Sequence, residues 1–201
     1  DAGCVTGLVP TAEIDTPSQQ HFDRRVSWSS NCAPRRFTLL TSPPPNRAYP
    51  FAAGIFGTGA NFAVRRQLMI DLGEFDTLLG AGAPTMGGED LDAFVRVILD
   101  GHALVYQPAA VVWHHHRVAP EALKRQLYGY GLGLSAYATK LLTNPRTAGT
   151  VLRRIPTGLS IFTKARKDDL DDDLPLELGI TETLGQLADT AKHMTARLLR
   201  R

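Results

Sequence analysis

The chain is poor in cysteine, modest in net charge and without a long apolar run, and each shortage excludes something. Of its 201 residues only Cys4 and Cys32 are cysteines, too few for a disulfide framework and without metal-site spacing; both are expected to be reduced, partly buried thiols. A formal charge of +2, with the basic residues scattered except for pairs such as Arg24-Arg25 and Arg153-Arg154, argues against a nucleic-acid partner. No apolar stretch approaches the roughly 18 residues that would span a membrane, and no signal peptide is visible. A cytoplasmic protein is expected. What remains is a hydrophobic content of 43%, enough for a folded core that removes about 70% of the unfolded surface from water.

The chain opens on Asp1-Ala2-Gly3 and passes at once into Cys4-Val5-Thr6-Gly7-Leu8-Val9, which reads as a buried strand. A domain seldom begins on a core strand without a lead-in, so the chain is expected to be the latter part of something longer. Thr16-Pro17 starts a helix to about Val26. Residues 27–50, with Pro43-Pro44-Pro45, read as loop. Phe51 to Arg65, interrupted by Gly54, Gly57 and Gly59, reads as a bent strand. A helix from about Arg65 ends before Gly73. A second glycine-rich loop, 73–88, precedes a helix from Glu89 to Asp100 and a strand from Leu104 to Val112. Pro120-Glu121 opens a long helix to about Leu142, stopped by Asn144-Pro145. Helices near 147–165 and 181–200, around an acidic run at 168–173, complete an α/β pattern.

Two segments carry chemistry. Gly87-Gly88-Glu89-Asp90-Leu91-Asp92 puts adjacent carboxylates behind a flexible glycine pair at the start of an apolar helix. There the free N–H groups and the helix dipole stabilise negative charge, and a fixed carboxylate is a good general base. Trp113-His114-His115-His116-Arg117 follows the next strand. Alternation puts His114 and His116 on one face and His115 on the other. Helix start and strand end can meet at one sheet edge, where α/β proteins put their sites. A zinc site on His114 and His116 lacks a third ligand. Gly57-Thr58-Gly59-Ala60-Asn61 could cradle a phosphate on its N–H groups or simply be a bend. Tyr128-Gly129-Tyr130-Gly131-Leu132-Gly133 lies inside a helical pattern, so it reads as a close-packing surface or a partner or membrane face, not a dinucleotide loop.

Taken in order, Cys4-Val5-Thr6-Gly7-Leu8, Gly57 to Arg66, Leu72-Gly73-Glu74-Phe75-Asp76, Gly88 to Asp92 and Leu104 to Arg117 resemble the second half of a family 2 glycosyltransferase with the GT-A fold. The resemblance covers about residues 1–140. It implies a partial GT-A-like three-layer α/β fold with a mixed sheet, residues 1–118 forming the acceptor-side part and 119–201 a helical C-terminal extension. It implies a nucleotide-diphosphate-sugar donor and a hydroxyl acceptor, saccharide or lipid-linked, with transfer by inversion and peripheral membrane contact as a further expectation. Asp90 becomes the catalytic base and Glu89 its acceptor-binding neighbour; Thr58, Gly59, Asn61, Gly87, Gly88 and Arg117 become substrate contacts. By likeness to the polypeptide N-acetylgalactosaminyltransferases, His114 becomes a ligand of a divalent metal, Mg or Mn, completed by an Asp-x-Asp motif outside this chain. Asp169-Leu170-Asp171 has those letters but lies on the wrong side of His114 and reads as a solvated linker. The rival readings are a non-catalytic binding module of the same fold and a metal-dependent hydrolase using Glu89, Asp90 and His114. For the hydrolase, only His21 and Asp23 offer further ligands, at poor spacing.

Overall fold

The computed structural model describes residues 2–26, 28–40 and 48–154. The part of the expected 147–165 helix beyond residue 154, the expected helix near 181–200, the acidic run and Asp169-Leu170-Asp171 lie outside them. The elements are β1 (Ala2–Leu8), α1 (Pro17–Val26), β2 (Arg35–Phe37), β3 (Phe62–Val64), α2 (Arg66–Asp71), α3 (Glu89–Leu99), β4 (Ala103–Val111) and α4 (Pro120–Thr143), with a 3₁₀ turn at Ala53–Phe56; residues 145–154 are again helical. The contacts divide the chain into two units. One takes in the described residues up to Asp76 together with Glu89–Leu123; the other takes in Thr77–Gly88 and the described residues from Lys124 onward.

The first unit is built on a four-stranded mixed sheet in the order β2-β4-β1-β3. β1 and β4 run parallel, with Val5 opposite Val105 and Thr6 opposite Tyr106, and parallel pairing requires the long crossover that intervenes. β3 and β2 close the two edges antiparallel. α3 buries Phe94, Val95, Val97 and Ile98, the stripe its helical period dictates. Phe94 meets Phe62 of β3 edge-on at 5.4 Å, and Phe37 of β2 meets Phe56 at 5.0 Å. Local signals place α1 well: Gln19 Oε1 accepts from the Thr16 N–H at 3.0 Å while the Gln19 N–H reaches Thr16 Oγ1 at 3.4 Å, a capping box. Cys4 is buried and Cys32 exposed, both free. Burial pushes the Cys4 thiol up to about 12, so it is inert at neutral pH.

Two expectations are corrected. The 27–50 segment is not all loop, because Arg35–Phe37 pairs with β4. The expected strand from Phe51 to Arg65 survives only as Phe62–Val64. Its first half becomes the 3₁₀ turn, and Gly57 at φ 124° turns the chain where Thr6 Oγ1 donates to the Phe56 carbonyl.

Arg96 ties α3 to the turn after α2. Its guanidinium donates to Asp92 Oδ2 at 2.8 Å, to the Leu72 carbonyl at 2.8 Å and to the Glu74 carbonyl at 2.7 Å. Asp92 is only 3% exposed, so removing Arg96 takes a close cation from a buried carboxylate. Arg96→Met is expected to cost about 2–3 kcal/mol in urea unfolding; a change below about 0.5 kcal/mol would show that the fork is a surface ornament.

Candidate functional site

The acidic pair stands at the first turn of α3. Asp90 Oδ2 accepts the Gly59 N–H at 2.8 Å and Oδ1 accepts the Leu91 N–H at 2.8 Å. Each oxygen has a second acceptor position, so the carboxylate is held and still able to take a proton. The Gly59 side of this contact leaves no room: a Cβ there would lie 3.0 Å from Asp90 Oδ2. The Thr58–Asn61 turn is closed by Asn61 N–H to the Thr58 carbonyl at 3.2 Å. Asn61 Nδ2 donates to the Leu8 and Ala110 carbonyls, at 3.0 and 2.9 Å, which joins the ends of β1 and β4 to the turn. Glu89 is half-buried.

The histidines lie just past β4, where the chain continues to follow the end of β1. His114 N–H donates to the Pro10 carbonyl and Ala12 N–H to the His114 carbonyl, both at 2.9 Å. This register brings Thr11 beside the imidazoles. Thr11 Oγ1 lies 2.8 Å from His116 Nε2 and donates to Asp23 Oδ1 on α1. His116 Nδ1 lies 3.1 Å from His114 Nδ1. Phe22 and Trp28 enclose the rings, Phe22 4.6 Å from His116 and Trp28 5.5 Å from His114 between centroids. His115 points away to Glu13, 3.1 Å distant and exposed.

Burial, then Arg117, then His115 lower the affinity of His114 for a proton. For His116 burial acts first and His114 second, against the opposing pull of Asp23. Both rings are therefore neutral at pH 7. Since their folded pKa values lie below the unfolded value, the unfolded chain binds more protons in the acid range, and stability is lost as pH falls below about 6.5. The urea midpoint is expected to drop between about pH 7 and pH 5, and His116→Gln should flatten that slope. A midpoint equally pH-dependent in the variant would assign the acid sensitivity elsewhere.

Of the residues singled out from sequence, Thr58, Gly59, Asn61 and Asp90 are brought together around one turn. Arg117 is exposed and close enough to His114 to act on its charge. Gly87 and Gly88 belong to the second unit, where Gly80 N–H donates to the Gly87 carbonyl at 3.2 Å. Thr11 and Trp28 were invisible to spacing arguments, because their partners lie far along the chain. Asp23 reaches Thr11 and not a metal site. Among the described residues no group of three His, Cys, Asp or Glu could hold a metal ion; the site expected on His114 draws its other ligands from an Asp-x-Asp motif outside this chain, and the contact with His116 engages only Nδ1 of His114. No helix among the described residues is long and apolar enough to cross a membrane. No family model, no curated protein and no solved structure matches this chain.

Proposed function

We propose that this chain is the acceptor-side part of a glycosyltransferase of the family 2, GT-A type, passing a sugar from a nucleotide diphosphate to an acceptor hydroxyl. The observation that carries the reading is the contact between Gly59 N–H and Asp90 Oδ2. It joins two of the motifs that carry the resemblance, across 31 residues, and fixes a carboxylate that can still accept a proton. In the reaction, the acceptor hydroxyl gives its proton to Asp90 as its oxygen attacks the anomeric carbon, and the bond from that carbon to the diphosphate oxygen breaks, inverting the centre. Glu89, whose carboxylate has no hydrogen bond among the described residues, orients a second acceptor hydroxyl. Asn61 serves by holding the turn in place, since its amide nitrogen already has two carbonyl partners.

The mixed sheet, with its helix-borne carboxylate beside a glycine-rich turn, supports a GT-A-like arrangement over the hydrolase, whose ligand set is incomplete. The binding-module alternative is separated by assay. Acceptor-dependent release of nucleoside diphosphate, measured over a panel of sugar nucleotides with the full-length gene product, should occur and should fall in Asp90→Asn. Donor binding without release for every donor tried would favour the module.

A further inference from the structure

The histidine cluster has a direction that follows from counting protons. A carboxylate only accepts, so the single hydroxyl proton of Thr11 goes to Asp23. Thr11 Oγ1 therefore faces His116 as an acceptor, and His116 Nε2 carries a hydrogen. A neutral imidazole has one N–H, which leaves His116 Nδ1 bare. His114 Nδ1, 3.1 Å away, must then be the donor of that pair. The remaining nitrogen, His114 Nε2, holds a lone pair; it has no hydrogen-bond partner among the described residues and is not among their buried unpartnered atoms.

We infer that Asp23, Thr11 and His116 form a positioning chain that fixes His114 as its Nδ1–H tautomer and presents Nε2 to accept a hydrogen bond from a ligand hydroxyl. The arrangement is built rather than incidental. His116 is 6% exposed, and its ring packs against the Phe22–Trp28 pair. The backbone of His114 is registered on Pro10 and Ala12. The positive charge of Arg117 acts on His114, which disfavours an ammonium donor there and favours a neutral one such as a hydroxyl. An outer partner that sets which imidazole nitrogen is free is a recurrent device. The tautomer does not depend on the glycosyltransferase reading, so the two can fail separately.

Long-range ¹H–¹⁵N correlation of the full chain at about pH 8, well above the ordinary histidine pKa, reads the tautomer directly, with His114→Gln providing the assignment. A histidine free in water favours the Nε2–H form, so finding His114 in the Nδ1–H form is diagnostic. Thr11→Val removes the acceptor of the His116 N–H, and Asp23→Ala frees the Thr11 hydroxyl to donate instead. Either change should reverse the chain and return His114 to the Nε2–H form, whereas Thr11→Ser should preserve the wild-type tautomer. If Thr11→Val does not fold, Asp23→Ala carries the same test. Wild-type His114 in the Nε2–H form, or folded variants in which it stays Nδ1–H, would overturn the inference.

Discussion

Asp90→Asn is expected to lower kcat for acceptor-dependent transfer by about 10²–10⁴-fold in the full-length gene product. The substitution keeps size and shape, and its carbonyl oxygen can still accept the Gly59 N–H that now reaches Oδ2 at 2.8 Å. What it removes is the capacity to take a proton. The structural cost is one altered contact at Leu91 N–H, worth about 1 kcal/mol, so folding and donor binding should be nearly unchanged. Glu89→Gln makes the comparison informative. The Glu89 carboxylate has no hydrogen bond among the described residues, and its replacement should raise the acceptor KM more than it lowers kcat. Both variants are to be assayed at saturating donor. If Asp90→Asn retains more than about a tenth of wild-type kcat, a barrier change under ~1.4 kcal/mol, Asp90 is not the base and is simply a cap on α3.

The second large effect is on stability and turns on a conflict of signs. Gly133 lies inside α4, where helix propensity alone says that alanine should stabilise by about 1 kcal/mol. Space says otherwise. A Cβ on Gly133 would come within 2.6 Å of the Gly87 carbonyl carbon and 2.9 Å of its Cα. Those are backbone atoms, and a Cβ on the following Gly88, at φ 91°, would likewise lie 2.6 Å from the Gly133 carbonyl oxygen. Overpacking of this kind costs about 1–3 kcal/mol, and separations below 3 Å put it at the upper end. Gly133→Ala is therefore expected to destabilise by about 1–2 kcal/mol net. Gly129, one turn earlier, is the control. The three atoms nearest to its added Cβ all belong to the Met86 side chain, Cβ at 3.1 Å and Cε at 3.3 Å, so none comes under 3 Å and a shift of a few tenths of an ångström relieves the contact. Gly129→Ala should thus be neutral or slightly stabilising. Chemical unfolding of the two variants decides: equal shifts would mean that close approach to the Gly87 backbone does not set the need for glycine at position 133.

Those two glycines illustrate the boundary between what was readable in the residues and what was not. Their reading as a close-packing surface came from small residues recurring inside a helical pattern. That the neighbour is the Gly87–Gly88 backbone, rather than another helix, depends on contacts more than forty residues apart. The strongly periodic or well-capped segments were legible: the Thr16–Gln19 box at the start of α1, the apolar stripe of α3, and α4 between Pro120 and Asn144. So was the division of the histidines, because the chain past β4 stays extended along the segment after β1 and the alternation sends His115 to Glu13, away from its neighbours.

Local spacing was silent wherever a partner from elsewhere set the outcome. Arg35–Phe37 is too short to announce itself and is a strand only because β4 offers it free backbone groups. Phe51 to Phe56 has a composition compatible with a strand, but the Thr6 hydroxyl and the turn at Gly57 settle it otherwise. The pairing of Gly59 with Asp90, the two carbonyls held by Asn61, and the line from Asp23 through Thr11 to His116 join residues between about a dozen and a hundred positions apart. Sequence by itself determined which residues could carry charge, accept a proton or sit on a common face, since those properties belong to side-chain chemistry and to backbone periods of a few residues. Which of them touch was decided by the parallel pairing of β1 with β4 and by the packing of α1 and α3, because a hydrogen bond between distant residues is specified by the whole arrangement that brings them within 3 Å and by no pattern in either segment.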